Sequence, residues 1–214
     1  MRTLIITGGT VNIDFLKGFY KEHVYDFCMG VDKGAEYAYK AGIKPDMVLG
    51  DFDSASSDVV AYYEHIKDIE VHCFPVEKDE TDTHLALLEA IKLGSTRIDM
   101  IGGIGSRMDH TLANIHIMKL PLEQGILCRM IDESNIISLA NEHIQLNKGH
   151  YPYVSLIPLT SKVEGITTHD MKYPLHDYTM VQGISVGISN EILNQVGAVT
   201  LQEGILVVIQ SRDL

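Results

Sequence analysis

The first part of the chain alternates short apolar runs with amphipathic stretches. Apolar runs of strand length occur at residues 3–7, 27–31, 47–49, 71–74, 98–101 and 127–131. Apolar residues at helical spacing fall between these runs, at Val59, Tyr62, Tyr63 and Ile66 and at Leu85, Leu88, Ala90 and Ile91. Strands that alternate with helices predict a mostly parallel sheet with helices on both faces.

The pattern changes after Ser134, where helical periodicity nearly vanishes. Short β-prone pieces follow at residues 153–157, 165–168, 183–188, 198–201 and 205–209. The turn signal Gln202-Glu203-Gly204 predicts that the last two pieces form a closing hairpin. We therefore predict two domains, an α/β domain at residues 1–132 and an all-β domain at residues 133–214.

Charge and cysteine content limit the partners and the compartment. With 17 basic and 29 acidic residues the formal charge is −12, and no basic patch is present, so nucleic acid is not an expected partner. Cys28, Cys73 and Cys128 form no CxxC pair and lie in predicted strands, which predicts buried thiols in a reducing compartment. No apolar run reaches the ~18 residues that span a membrane, and no signal-peptide core is present. We expect a cytoplasmic protein.

The segment 50–54 reads GDFDS and directly follows a predicted strand. Asp51 and Asp53 could turn toward one point and bind Mg²⁺, which prefers hard oxygen ligands and shares them with phosphates. The structural alternative is a turn in which these aspartates and Ser54 cap the next helix. Taken alone, this short motif favours the structural alternative.

The segment 74–82 reads FPVEKDETD and also leads from a strand into a helix. Lys78 could bind phosphate, and Asp79, Thr81 and Asp82 lie where helical N–H groups favour anions. Ordinary capping of a helix explains the same acids and threonine, and by itself it is the more common case.

Two further segments follow predicted strands. Residues 102–110 read GGIGSRMDH, in which glycines permit close approach to a phosphate and Arg107 offers a planar fork. Asp109 could instead cap the following helix, on which His110 and Asn114 share one face. Residues 30–35 read GVDKGA, and Asp32 there is consistent with a simple strand-to-helix turn.

The conjunction of these segments carries more information than any one of them. All four clusters lie at strand ends that lead into helices, and a parallel sheet gathers such ends along one edge. Carboxylates, Lys78, Arg107 and glycine loops together indicate a metal and polyphosphate site. Walker A and protein-kinase motifs are absent from the sequence, which excludes those two classes of phosphoryl-transfer enzyme.

In order, spacing and content, several segments resemble the thiamine pyrophosphokinase family. They are DKGA at 32–35, PD at 45–46, GDFDS at 50–54, KDETD at 78–82, GSRMDHTLAN at 105–114, and, in the second half, GITT at 165–168, MKYPL at 171–175 and GISNE at 187–191. The resemblance implies a Rossmann-like α/β domain that binds ATP, a β-sandwich-like domain that binds thiamine, and a homodimer with active sites between domains and subunits. It implies transfer of the pyrophosphoryl group of ATP to the thiamine hydroxyl, with release of AMP.

The resemblance also implies roles for single residues. Mg²⁺ is expected at Asp51, Asp53 and Asp82. The nucleotide and its phosphates are expected at Asp32, Ser54, Lys78, Thr81, Arg107, Asp109 and His110. The thiamine substrate is expected near Asp82, Asn114, Ser189, Asn190 and Glu191, and Asp79 or Asp82 could orient or deprotonate the hydroxyl. Lys33 departs from the family's usual Asp-Gly-Gly-Ala segment, in which glycine stands at this position.

Two other functions are compatible with parts of the pattern. Asp51-Phe52-Asp53 has the DxD form of metal-dependent nucleotide-sugar transferases. A module that senses thiamine or a nucleotide would keep the pocket without turnover, although every charged group expected for catalysis is present.

Overall fold

The computed structural model describes residues 1–52, 57–75 and 79–213. The chain divides into two compact units, Met1–Glu133 and Ser134–Leu214. In the described part of the chain, no helix is both long enough and apolar enough to cross a bilayer.

The first unit contains a parallel sheet. Its described strands are β1 (Arg2–Ile6), β2 (Phe27–Val31), β3 (Met47–Gly50), β4 (Glu70–Cys73), β5 (Arg97–Ile101) and β6 (Leu127–Ile131). They lie in the order β6-β5-β1-β2-β3-β4, and every neighbouring pair is parallel. The predicted parallel sheet is confirmed, with strand bounds shifted by at most one residue.

Five of the described helices each follow a strand and begin near the carboxyl edge of this sheet, and a sixth follows the fifth directly. They are α1 (Ile13–Glu22), α2 (Lys33–Ala41), α3 (Ser57–Glu64), α4 (Asp82–Lys92), α5 (Met108–Ile117) and the short α6 (Lys119–Glu123). Thr81 caps α4, because its hydroxyl accepts a hydrogen bond from the His84 N–H at 3.2 Å. Gly94, at φ 81°, follows α4 as predicted.

The three thiols do not share one environment. Cys28 and Cys128 are buried, as predicted, but Cys73 is exposed. Cys73 ends β4, which is the edge strand of the sheet. An edge strand has a neighbour on one side only, so the apolar run that contains Cys73 does not bury it.

The second unit contains two antiparallel sheets. Its described strands are β7 (Asn135–Ala140), β8 (His143–Asn147), β9 (Tyr153–Pro158), β10 (Lys162–His169), β11 (Tyr178–Val181), β12 (Asn190–Glu191), β13 (Val196–Thr200) and β14 (Leu206–Ser211). One sheet has the order β12-β9-β14-β7 and the other β11-β10-β13-β8. Buried side chains of both sheets, among them Val154, Leu206, Val163 and Val199, form one core. The sandwich-like domain is confirmed.

Two details of the predicted β half are wrong. β13 pairs with β8 and β10, whereas β14 pairs with β7 and β9, so the chain changes sheets between them and forms no closing hairpin. Residues 183–188 form turns instead of a strand. Gly183 and Gly187 adopt φ 92° and 98°, which breaks the extended backbone on both sides of this apolar piece.

Candidate active site

A pocket of about 820 Å³ lies where strands of the parallel sheet end. Its lining comes from residues within segments 7–11, 32–37, 80–83 and 102–114, together with Asp51. Each segment follows a strand of the sheet, so the topology brings together groups that lie far apart in sequence. The predicted convergence of the strand ends is confirmed for the described residues.

Three carboxylates converge in this pocket. Asp32 follows β2, Asp51 follows β3, and Asp82 begins α4. One oxygen of each carboxylate lies within 4.8 Å of the other two. Hard oxygen donors at this spacing can share one small divalent cation.

Asp32 has a strained backbone and a side chain that does not cap its helix. It stands at the N-cap of α2 with φ 48° and ψ −121°, and its carboxylate makes no capping hydrogen bond. Among the described residues, its Oδ1 is buried and has no hydrogen-bond partner. A buried oxygen of this kind is costly unless a donor or a cation approaches it.

Glycine at position 50 leaves the space that this carboxylate occupies. Gly50 adopts φ 152°, and a Cβ built on it would lie 1.9 Å from the Asp32 Oδ1. The Asp32 N–H donates to the Leu49 carbonyl at 3.0 Å, which fixes the two strand ends side by side. The place of Asp32 therefore depends on β3 as much as on its own strand.

Burial and two neighbouring carboxylates raise the pKa of Asp32. Burial, then the charge and hydrogen bond of Asp82, and then the charge of Asp51 raise the pKa of Asp32 to about 7, against a lowering effect of the Phe52 N–H. Three carboxylates so close together repel one another when they are ionised. A divalent cation would relieve the repulsion, and its chemistry fits this donor set.

Two glycine-containing loops form a backbone wall of the pocket. The Gly9 N–H donates to the Gly102 carbonyl at 2.8 Å, and the Thr10 N–H donates to the Ile104 carbonyl at 3.0 Å. A Cβ on Gly9 would lie 2.3 Å from the Gly102 oxygen. Such side-chain-free loops at the start of helices allow a phosphate to approach backbone N–H groups.

Two cationic side chains line the described pocket. Arg107 donates its Nη2 to the Asp109 Oδ2 at 2.6 Å and its Nε to Oδ1 at 3.3 Å. The hydrogen bond from Arg107 lowers the pKa of Asp109 to about 2. The Lys33 Nζ lies 5.7 Å from the ring centroid of Tyr37, whose hydroxyl donates to the Gly9 carbonyl at 2.9 Å. Tyr37 thus connects Lys33 to the backbone wall.

Comparison with known proteins identifies the family. A family model for the thiamin pyrophosphokinase catalytic domain matches residues 22–129, and one for the thiamin pyrophosphokinase vitamin B1 binding domain matches residues 141–206. The thiamine pyrophosphokinase of Bacillus subtilis is 34% identical over 217 residues, with 100% of both chains covered. The chain belongs to the thiamin pyrophosphokinase family.

Solved structures of this family agree with the fold. The crystal structure of thiamine pyrophosphokinase from Bacillus subtilis matches with a TM-score of 0.89 and 31% identity, and covers 100% of both chains. That of thiamin pyrophosphokinase from Geobacillus thermodenitrificans matches with a TM-score of 0.86 and 31% identity, covering 100% of this chain and 98% of that chain. The family's reaction is transfer of the pyrophosphoryl group of ATP to thiamine, so the predicted enzyme class is confirmed.

The pocket contains many of the residues that the resemblance to thiamine pyrophosphokinases assigned. Those that line it are Asp32, Asp51, Thr81, Asp82, Arg107, His110 and Asn114. Asn114 is 7% exposed and its side-chain amide donates to the Gly103 carbonyl at 2.8 Å, which holds α5 against the loop before it. Asp53, Ser54 and Lys78 lie outside the described residues.

Other assigned residues lie elsewhere in the described structure. Asp79 is exposed, and the described lining includes its neighbour Glu80 instead. Asp109 is not the N-cap of α5, because Arg107 holds that position, and its carboxylate pairs with Arg107. Its contribution to the pocket is therefore to orient the guanidinium.

Three of the five residues assigned near thiamine lie in the second unit. Ser189 adopts φ 56°. Asn190 is 5% exposed, and its amide donates to the Tyr173 carbonyl at 2.7 Å and accepts from the Tyr173 N–H at 2.9 Å. Glu191 pairs with Lys172 at 2.7 Å. Asn190 therefore holds the segment at Tyr173 in place.

Sequence reasoning did not assign the loop after β1 or Tyr37 to the site, and it gave Lys33 no binding role there. Thr7, Gly8, Gly9 and Thr10 nevertheless line the pocket. The signal was present, because Gly8-Gly9 also follows a strand that leads into a helix.

Proposed function

We propose that this chain transfers the pyrophosphoryl group of ATP to the hydroxyl of thiamine, with Mg²⁺ held by Asp32, Asp51 and Asp82. The observation that carries this proposal is the convergence of these three carboxylates within 4.8 Å at a pocket lined by glycine loops and cations. Asp53 is proposed as a further ligand on sequence grounds.

The donor set suits Mg²⁺ better than a softer metal. All three groups are carboxylates, and the buried Asp32 Oδ1 has no hydrogen-bond partner among the described residues. When bound, Mg²⁺ neutralises phosphate charge and stabilises the charge that develops on phosphate oxygens during transfer.

The chain's own residues bind and orient the substrates. N–H groups at the starts of α2 and α5 donate hydrogen bonds to the phosphate oxygens, and the glycine loops leave room for the phosphates to approach. Arg107, Lys33 and Lys78 balance the phosphate charge. His110, in the first turn of α5, and Thr81, the N-cap of α4, contact the nucleotide. Asp82 lines the pocket and Asp79 does not, which favours Asp82 as the carboxylate that orients the thiamine hydroxyl.

The family matches support a separate unit for each substrate. We assign ATP to Met1–Glu133 and contacts with thiamine to Ser134–Leu214, including Ser189, Asn190 and Glu191.

We also propose a cytoplasmic homodimer. Ile184, Val186 and Ile188 are 43%, 42% and 48% exposed, and exposed apolar side chains of this kind suit contact with a second copy. An exposed free thiol such as Cys73 suits a reducing compartment.

Product analysis tests the reaction. Incubation with Mg²⁺, ATP and thiamine should yield thiamine diphosphate and AMP in equal amounts, measured by chromatography, because the hydroxyl attacks the β-phosphorus. Omission of thiamine or of the metal is the control and should yield neither product. Release of ADP with thiamine monophosphate would contradict the proposed attack.

Lys33→Gln is expected to raise the KM for ATP about tenfold with a smaller change in kcat. The variant removes a charge that lines the pocket beside Tyr37, and a charge-assisted hydrogen bond to phosphate is worth about 1.5–3 kcal/mol. Steady-state kinetics with ATP and with thiamine as the varied substrate measure both constants. Lys40→Gln, in the last turn of the same helix, is the matched control. An unchanged KM for ATP in the Lys33 variant would remove this residue from the nucleotide site.

A further inference from the structure

A second group of charged side chains lies at the opposite ends of the strands. Arg2 and Arg97 begin β1 and β5 and are aligned in register, and Asp99 and Arg129 are aligned two residues further along β5 and β6. Aligned residues of parallel strands share a face, and so do alternate residues of one strand. All four side chains therefore lie on one face of the sheet.

Both carboxylate oxygens of Asp99 accept hydrogen bonds from neighbouring side chains. Its side chain is 0% exposed, and Arg129 donates Nε to Oδ1 at 2.7 Å and Nη2 to Oδ2 at 2.8 Å. The Tyr25 hydroxyl donates to Oδ2 at 2.8 Å. Burial would raise the pKa of Asp99, but Arg129, Tyr25 and Arg97 together lower it, so the carboxylate is ionised.

Arg2 and Arg97 have no carboxylate of their own among the described residues. The Arg97 Nε lies 3.6 Å from the Asp99 Oδ1, beyond hydrogen-bond distance, and the Arg2 guanidinium lies 5.7 Å from the Tyr25 ring. The Asp26 Oδ2 accepts a hydrogen bond from the backbone N–H of Arg2 at 2.7 Å. The Nε atoms of both arginines are buried and make no hydrogen bond with any described residue.

Among the described residues, the buried part of the group carries more positive than negative charge. The exposed carboxylate of Asp26 faces solvent, and without it three guanidinium groups and the Asp99 carboxylate sum to 3 − 1 = +2, in a chain whose formal charge is −12. Burial and the charges of Arg129 and Arg2 lower the pKa of Arg97, against the raising effect of Asp99. The side chains of Arg97 and Arg129 are 31% and 18% exposed, so an anion can reach the group from solvent.

We propose that Arg2, Arg97 and Arg129 form a binding site for a phosphate-type dianion, separate from the nucleotide pocket. A dianion would balance the charge of +2, and guanidinium forks match the oxygens of phosphate. Arg2 precedes the pocket residue Thr7 by five positions, which is roughly 16 Å along an extended strand. A phosphate bound at the arginines therefore does not contact the pocket lining.

Phosphate binding should stabilise the folded protein, because the site exists only in that state. With EDTA present, inorganic phosphate is expected to raise Tm more than chloride at equal ionic strength. In calorimetric titrations, Arg97→Gln should weaken phosphate binding about tenfold or more. Arg2→Gln is a second variant with the same expectation. Neither arginine holds Asp99 by a hydrogen bond, so both variants should fold.

Two further variants separate this site from other effects. Lys44→Gln removes one charge from an exposed ion pair with Asp68 and should bind phosphate like the unchanged chain. Arg107→Gln removes a cation of the nucleotide pocket and should retain the phosphate site. AMP titrated into Arg107→Gln then tells whether a phosphate ester can replace the free ion. Equal stabilisation by chloride, unchanged phosphate affinity in both Arg2→Gln and Arg97→Gln, or loss only in Arg107→Gln would each overturn the proposal.

Discussion

Asp32→Asn and Asp51→Asn are each expected to lower kcat about 100-fold or more while the protein stays folded. Each change removes one negative charge from a set whose oxygens lie within 4.8 Å, and loss of a preorganised charged group at phosphoryl transfer has effects of this size. The Mg²⁺ concentration that gives half-maximal activity should rise as well. Kinetics at several Mg²⁺ concentrations measure both effects.

A stability measurement distinguishes loss of the metal site from loss of the fold. Without metal, Asp32→Asn should be at least as stable as the unchanged chain, because it relieves repulsion among three carboxylates. Addition of Mg²⁺ should raise Tm less than in the unchanged chain. Asp68→Asn is the control, since this side chain is 83% exposed and is not among the described residues that line the pocket. Full activity in both site variants would show that these carboxylates do not hold the metal.

The meeting of Asp51, Asp82 and Arg107 could be predicted because it depends on topology alone. Each follows an apolar run of strand length, and parallel strands end at one edge of the sheet. The precise spacing along the chain does not matter for this inference. The same rule would have included Thr7 and Gly9 if the end of β1 had been considered.

The role of Asp32 could not be predicted from its own segment. A strand followed by Asp and a helix is also an ordinary turn, and the local pattern contains no sign that the carboxylate leaves its capping position. That position depends on a backbone at φ 48° and on space above Gly50, a residue of another strand. Contacts of this kind are set by tertiary packing and leave no periodic signal.

In the second unit, the positions of several strands could be predicted, but their pairing could not. The short β-prone pieces identified β9, β10, β13 and β14, but the pattern within a strand does not specify its partner. β13 and β14 lie in different sheets although only residues 201–205 separate them. A Cβ on Gly204 would lie 2.6 Å from the Lys162 carbonyl oxygen. Glycine is therefore needed here because the backbone passes close to Lys162, and not because the chain forms a hairpin turn.

Gly50→Ala is expected to cause a large loss of activity together with a loss of stability. The backbone at φ 152° disfavours an L side chain, and the new methyl group would lie 1.9 Å from the Asp32 Oδ1. Strain of this kind costs about 1–3 kcal/mol, and a displacement of the carboxylate by about 1 Å can lower the rate about 100-fold. Denaturant unfolding and steady-state kinetics measure the two effects.

Gly18→Ala provides the matched control for that substitution. Gly18 lies within α1, and a Cβ there meets nothing within 4 Å. Alanine is the better helix former by about 0.5–1 kcal/mol, so this variant should be more stable and fully active. The two changes add the same methyl group, and only the one at position 50 should disturb Asp32. If Gly50→Ala kept full activity and Mg²⁺ dependence, the contact between β3 and Asp32 would not determine the geometry of the metal site.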